Sequence, residues 1–344
     1  MRTKHYIYLS VLLIFGCQSK VVAQSMHFSQ YYNAPMLLNP ANTALMPDYD
    51  YRVGANYRNQ WAALPVPYTT MDVFGDLKIG GNGESQHNNW LGLGGAIFND
   101  KAGSGNLSLL QLQLSMAYHL NLSKKSMLSF GLSGAYVQRS VNYDNLTFDT
   151  QWDGFSFNGH LPNGEKVGIL KTNYITFAAG FNYAYIPNEA VYIKLGGGVA
   201  NVNQPNETFY NSNNQVGLRP TANLDVLVRT SDNLILNPSA YYTTQNGASE
   251  IVFGTLTRVN MTGPSDPRSS QLILGLYDRL ADAVIGVVGY QYGGLQFMAS
   301  YDFTMSTLAP YNASYGALEL SLIYGSNYYK NKGIKKMYSC PRFN

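Results

Sequence analysis

The sequence predicts an all-β fold, a transmembrane antiparallel β-barrel of about fourteen strands with an N-terminal lead-in segment and a short C-terminal tail. Three observations predict it. Apolar and polar residues alternate over many short segments, as they must in a wall with one face toward lipid and the other toward a lumen. Leu110, Leu112, Leu114, Met116 and Tyr118, for example, are interleaved with Gln111, Gln113, Ser115 and Ala117. Charged residues make up only 12% of the chain, about half the usual share, while glycine (33) and tyrosine (28) are abundant. Beyond the N-terminal apolar run, no stretch approaches the roughly 20 apolar residues of a membrane helix, so only a closed barrel would cross a bilayer. A soluble sandwich or propeller also alternates, but its core would exclude the polar groups that so many segments place on their second face.

Residues 1–23 read as an export signal. Arg2 and Lys4 form its positive end, Tyr6 to Gly16 its apolar run, and Val21 and Ala23 the minus-three and minus-one positions of a cleavage site. A competing reading lipidates Cys17; against it stands the bulky Phe15, where lipoprotein boxes prefer a small residue. Cleavage after Ala23 removes Arg2, Lys4 and Lys20 and no acid, so the 23 basic residues fall to 20, matching the 20 acidic ones. A formally neutral chain carries no basic field for nucleic acid. Cys340 is then the only cysteine, and no intrachain disulfide can form.

Residues 24–50 form the lead-in, expected to fold into the lumen or against the periplasmic mouth. Barrel segments follow near 51–60, 68–79, 90–99, 107–119, 127–140, 173–185, 190–202, 219–230, 234–245, 249–261, 271–278, 282–292, 295–303 and 316–324, the tenth alternating poorly. Leu295, Phe297, Ala299, Tyr301 and Phe303 face away from Gln296, Met298, Ser300 and Asp302, and Leu318, Leu320, Leu322 and Tyr324 away from Glu319 and Ser321. Asn223, Asp225 and Arg229 share an inner face. Tyr118, Tyr136, Tyr183, Tyr185, Tyr290, Tyr292 and Tyr324 suit interfacial girdles. The barrel spans 51–324, and residues 325–344 form a periplasmic tail bearing Lys330, Lys332, Lys335, Lys336 and Arg342.

Connection lengths give a direction, because bacterial barrels have short periplasmic turns and longer outside loops. Short connections follow Asn121, Ile186, Thr230 and Tyr292 on one parity, while 141–172, 201–218 and 304–315 are long on the other. The connections 80–89 and 277–281 go against this rule, and counts of twelve or sixteen strands stay open. Both termini are expected in the periplasm, with the protein in the outer membrane.

Little points to chemistry. His5, His27, His87, His119 and His160 are scattered singly, without metal-ligand spacing. The clusters Gly92-Leu93-Gly94-Gly95 and Gly196-Gly197-Gly198 lie inside strand patterns, where glycine serves bending or close packing. Asp144, Asp149 and Asp153 lack the spacing of a calcium loop. A barrel hydrolase would need Ser, His and an acid together, and only His119 stands on a wall strand. No enzyme activity, metal or cofactor is expected.

The ends carry distinctive words. Met26-His27-Phe28-Ser29-Gln30-Tyr31-Tyr32 is followed by Ala34-Pro35 and Leu38-Asn39-Pro40-Ala41, then by the first strand Arg52-Val53-Gly54-Ala55-Asn56-Tyr57-Arg58-Asn59-Gln60-Trp61. The close reads Ser300-Tyr301-Asp302, Leu318-Glu319-Leu320-Ser321-Leu322-Ile323-Tyr324 and Cys340-Pro341-Arg342-Phe343. In these words the chain resembles the PorP/SprF family of type IX secretion system outer-membrane proteins of Bacteroidetes, the middle matching by architecture alone. The resemblance implies an accessory barrel that works with type IX secretion components. Such a barrel helps secrete and anchor adhesin or gliding-motility proteins that carry a C-terminal sorting domain. The alternative, on the barrel alone, is a FadL-like or porin-like channel for small or hydrophobic solutes; FadL-type transporters carry a similar Asn-Pro-Ala early in the chain.

Residues put forward for partner contact are His27, Phe28, Ser29, Gln30, Asn39 and Pro40 in the lead-in, Arg58 and Trp61 at the end of the first strand, and Trp152 in the longest outside loop. Arg58 is also expected to pair with a lumenal acid such as Asp225. Lipids of the outer membrane are the expected partner of the wall.

Overall fold

The computed structural model describes residues 28–46, 49–61, 67–80, 89–142, 146, 148–162, 164, 169–210, 213–262, 270–306 and 315–328. The export signal, His27, Asp144, Cys340 and the basic tail lie outside the described residues. Fourteen strands run in chain order: β1 (Tyr51–Gln60), β2 (Tyr68–Ile79), β3 (Trp90–Ala102), β4 (Leu107–Ser123), β5 (Ser126–Asn142), β6 (Ile169–Asn188) and β7 (Val191–Ala200), then β8 (Arg219–Ser231), β9 (Leu234–Gln245), β10 (Ala248–Asn260), β11 (Ser270–Arg279), β12 (Ala283–Tyr292), β13 (Leu295–Thr304) and β14 (Tyr315–Ser326). Each pairs antiparallel with its chain neighbours, and β1 pairs with β14 to close a fourteen-strand barrel. Closure leaves no unpaired sheet edge, the condition for a sheet to stand in lipid.

The closing seam sets Tyr51 opposite Ser326, Arg58 opposite Glu319 and Gln60 opposite Ala317. Every strand has at least 10 residues, enough to cross a bilayer at the usual tilt. The 20 residues of β6 and the 17 each of β4 and β5 exceed that need, so this part of the wall extends beyond it.

Alternation holds in the wall as the pattern requires. Along β4, Leu112, Leu114, Met116 and Tyr118 are exposed, while Gln111, Gln113, Ser115 and Ala117 are buried. On β13 and β14, Phe297, Phe303, Leu318, Leu320 and Leu322 face out and Met298, Ser300, Asp302, Glu319 and Ser321 face in. The tyrosines expected in girdles are all on the outer surface.

The poor alternation of β10 has a packing cause. Val252 and Leu256 point inward and join Ile273, Tyr277, Ile285, Val287 and Met298 of the neighbouring strands in an apolar cluster completed by Tyr31 of the lead-in, with Leu38 packed against it. One side of the lumen is therefore a hydrophobic core rather than a polar channel lining. The apolar stretch Ala283-Val284-Ile285-Gly286-Val287-Val288 of β12 is explained in the same way, since both its faces meet apolar surroundings.

Two-residue turns join β4 to β5, β6 to β7, β8 to β9 and β12 to β13, all at the end where the chain enters β1. The connections β5–β6, β7–β8 and β13–β14 are long and lie at the other end. The β9–β10 connection breaks the rule with a two-residue turn at Asn246 and Gly247, both at positive φ, the hairpin chemistry that needs no long loop. Because Leu114 is 76% exposed on the outer face, L114K is expected to destabilise the barrel in lipid by about 2–4 kcal/mol. Urea unfolding in vesicles, compared with wild type, measures the shift.

Candidate functional site

The lead-in is inside the barrel. Residues 28–46 contain a 3-10 turn at Tyr31–Asn33, one α-helical turn at Pro35–Leu38 and a second 3-10 turn at Pro40–Asn42. Three such short turns leave most backbone groups without local partners. Backbone groups in a buried segment need partners, and the barrel wall supplies a series of them.

At the beginning of this plug, Ser29 and Gln30 dock on charge. Their backbone N–H groups donate to the two carboxylate oxygens of Glu319, at 2.6 and 2.9 Å. The Ser29 hydroxyl donates to Asp302 Oδ2 at 2.7 Å and accepts from Arg58 Nη1 at 2.7 Å and Arg279 Nη2 at 2.5 Å. Arg58 pairs with Asp302 at 3.1 Å and with Glu319. Arg279 pairs with Asp302 at 3.1 Å and Glu250 at 3.0 Å. These charged side chains are at most 4% exposed.

The expected pairing of Arg58 with Asp225 is corrected by this geometry. Arg58 meets Glu319 because β1 and β14 are neighbours across the seam, while Asp225 pairs with Lys194 at 3.1 Å on the adjacent β7.

Along the middle, Tyr31 donates to Ser239 Oγ at 2.7 Å and stacks on Tyr241. Asn56 donates to the Asn33 carbonyl at 3.0 Å and Gln113 to that of Met36 at 3.1 Å. Asn39, fully buried, forms a knot of its own: Nδ2 donates to the carbonyls of Phe181 (3.1 Å) and Gly197 (3.2 Å) and to Asn182 Oδ1 (3.2 Å), while Oδ1 accepts from Ala41 N at 2.9 Å. Pro40 starts the second 3-10 turn, where its missing N–H costs nothing.

At the far end, His119 bonds the Thr43 carbonyl through Nε2 and Ser129 Oγ through Nδ1, each at 2.8 Å. Nε2 must donate to a carbonyl, so Ser129 donates to Nδ1. Both side chains are at most 1% exposed beneath the plug; Ser129 orients the ring through which His119 fastens the plug. Trp90 Nε1 donates to the Ala44 carbonyl at 3.1 Å, Ala44 N donates to Asp76 at 2.8 Å, and Asp76 is clamped by both ends of the Arg52 fork. Lys78 bonds the Met46 carbonyl.

The wall is also shaped for the plug. A Cβ at Gly131 would overlap Pro40 and Ala41, one at Gly180 would overlap Asn39 Oδ1, and one at Gly92 the Thr43 carbonyl. The glycines on the inner face allow the two backbones to approach.

Of the residues that the sequence put forward, the structure brings together Phe28, Ser29, Gln30, Asn39, Pro40 and Arg58 inside the barrel. Phe28 is 6% exposed, edge-on to Phe98. Trp61 lies at the rim after β1, at φ 58°, donating its N–H to the Gly316 carbonyl and contacting Tyr68. Trp152 is 50% exposed in the β5–β6 loop, edge-on to Phe157. The next turn is capped by Asp153, whose carboxylate accepts from the N–H groups of Ser156 and Phe155 and is held by them below the usual range.

Sequence reasoning missed Arg279, Glu250, Asp76 and Arg52 as holders of the plug. Their signal was a charge at an inward strand position. Among the described residues no three His, Cys, Asp or Glu side chains are grouped to hold a metal ion.

An outer-membrane β-barrel of fourteen strands, with its lumen filled by its own N-terminal segment, is the class these features define. Over residues 21–324 the sequence matches the family described as type IX secretion system membrane protein PorP/SprF. The chain belongs to that family. None of the curated proteins matches it significantly. Similar solved structures include a FadL homologue from Pseudomonas aeruginosa, with TM-score 0.50, 12% identity, and 85% of this chain and 94% of that one covered. The Ralstonia pickettii toluene transporter TbuX gives TM-score 0.51 and 9% identity, covering 86% and 94%. At such identities the likeness is one of fold.

Two variants test the fastening. R58A, which strands Glu319 and leaves Asp302 to Arg279 alone, is expected to cost about 3–5 kcal/mol, read as a lower temperature at which the compact barrel unfolds on a gel. N39A removes side-chain bonds worth about 1–3 kcal/mol where partners stay buried; it should loosen the plug with the barrel still closed, seen as raised conductance in planar bilayers.

Proposed function

We propose that this barrel is a non-enzymatic accessory of type IX secretion that assists the export and surface anchoring of adhesin or gliding-motility proteins bearing C-terminal sorting domains. The family supports the secretion role. The observation that carries the finer reading is the filled lumen. With the axis occupied by residues 28–46 and bonded along its length, the surfaces left for a partner are the barrel's two ends.

In this reading the short-turn end and both termini are periplasmic, where secretion components would be met. The long loops are outside and hold the cargo. Among the residues put forward for partner contact, Trp152 and Trp61 remain available there, aromatic groups of the kind that anchor interfaces. Phe28, Ser29, Gln30, Asn39, Pro40 and Arg58 contribute by setting the plug that shapes the inner floor of that mouth. The channel alternative rests on a likeness of fold, and a plug hydrogen-bonded to buried charged groups of the wall argues against free passage.

Deleting the gene is expected to strip one or a few sorting-domain proteins from the cell surface, measured by surface proteomics, and to leave uptake of small hydrophobic solutes unchanged. An unchanged surface proteome with reduced uptake would overturn the proposal in favour of the channel. Co-purification from outer membranes should recover a protein that ends in a sorting domain.

A further inference from the structure

Between the plug and the long-loop end lies a cavity of about 300 Å³, at the lower limit of ligand-binding pockets. Its floor is the outward side of the plug, Met36, Leu37, Leu38 and Pro40, and its roof includes Glu207, Asn214 and Gln215 of the β7–β8 loop. Two arginines line it. Arg139 is paired with Glu207 at 3.0 Å, and Glu207 also accepts from the Tyr174 hydroxyl at 2.9 Å.

Arg219 has no ion-pair partner among the described residues; its one polar contact there is a long bond, 3.5 Å, to the Leu37 carbonyl. The Nε atoms of both arginines are buried without a hydrogen-bond partner among the described residues. Taking a guanidinium out of water costs free energy unless an anion meets it. The cavity thus has one acid for two cations, and an apolar floor.

We propose that this cavity is a carboxylate-binding site, in which Arg219 receives the anion and the plug's Leu37 and Leu38 receive the apolar group attached to it. A carboxylate fits better than a bulkier anion. It is planar, it can bridge the two Nη groups of an arginine end-on, and it fits a space of this size together with a short aliphatic tail. Two sources carry that chemistry, the C-terminal end of a polypeptide and a free small acid. Capture of a chain end would deepen the secretion reading by giving the mouth a chemical preference. It rests on that reading only for its biological source, since the site is tested on the purified barrel alone.

The full-length protein in detergent is titrated by calorimetry with three probes: acetyl-Ala-Ala-Leu-Leu with a free C-terminus, the same peptide amidated, and sodium acetate. The free-acid peptide is expected to bind at least about tenfold more tightly than the amide. R219Q should abolish that difference, R219K should keep part of it, and E207Q, which removes the competing acid, should strengthen binding. Acetate binding as tightly as the free-acid peptide would assign the site to small acids, whereas peptide preference assigns it to chain ends.

Equal binding of acid and amide, or no binding by wild type and E207Q alike, overturns the proposal. Should R219Q fail to give a compact barrel on unheated gels, the opposite shift in E207Q carries the test. None of these outcomes bears on the deletion phenotype, so the site and the secretion role can fail separately.

Discussion

Closing a β-sheet in lipid satisfies its backbone but leaves the inner face to find partners of its own, and here that face carries charge. Arg58, Arg279, Glu250, Asp302 and Glu319 are all removed from water. The two guanidinium groups are shared among these three carboxylates, and Arg279 also reaches the half-exposed Asp282 at 3.2 Å, in surroundings where an uncompensated charge is costly. The N–H groups of Ser29 and Gln30 supply the missing donors to Glu319, and the Ser29 hydroxyl bridges Asp302 and both arginines. The barrel therefore completes its own electrostatics only when the plug is seated. Since Arg58 and Glu319 face each other across the β1–β14 seam, the contact that seats the plug also fastens the last pair of strands to close.

The same dependence runs the other way. Residues 28–46 have little regular structure, so the wall's side chains take over the role that a helix or a sheet neighbour would play. Asn56, Gln113, Thr221, His119 and Trp90 each donate to a plug carbonyl. Polar residues facing a lumen are usually read as the lining of a wet path. Here they are half of a hydrogen-bonded interface, and the inner glycines are its steric complement. A substitution on this face acts on the plug before it acts on any solute.

How much of this was legible in the sequence follows from which interactions have a local signature. Strand positions were readable because lipid forces a two-residue period on each segment: the expected segments at 51–60, 68–79 and 234–245 coincide with β1, β2 and β9. β10 was faint because Val252 and Leu256 serve a core inside the barrel, which erases the period. The plug's contacts have no such signature, since Ser29 meets Asp302 and Glu319 across more than 250 residues of chain. Choosing Asp225 for Arg58 failed for this reason: alternation says which acids point inward but not which stand nearby. One further step would have narrowed the choice, because closing the barrel places the last strand, with its inward Glu319, beside the first; the register that sets it opposite Arg58 is seen only in the structure. The glycine clusters were legible as sites of close packing, but what packs there was not.

These constraints explain where function can reside in such a molecule. A path through the barrel would require residues 28–46 to leave, exposing Glu319 without its amide donors, the apolar cluster around Tyr31, and the carbonyls of Asn39's partners. Each loss is paired with another, because the same segment satisfies all of them. A wall this committed to its own N-terminal segment is poorly suited to passing solutes and well suited to holding a fixed surface at its mouth. There the floor is made by Met36 to Pro40 and the rim by Arg139 near the end of β5 and by loops that carry Glu207 and Trp152. The charge cluster and the Asn39 knot keep the plug, and with it the floor, in place whatever the loops meet.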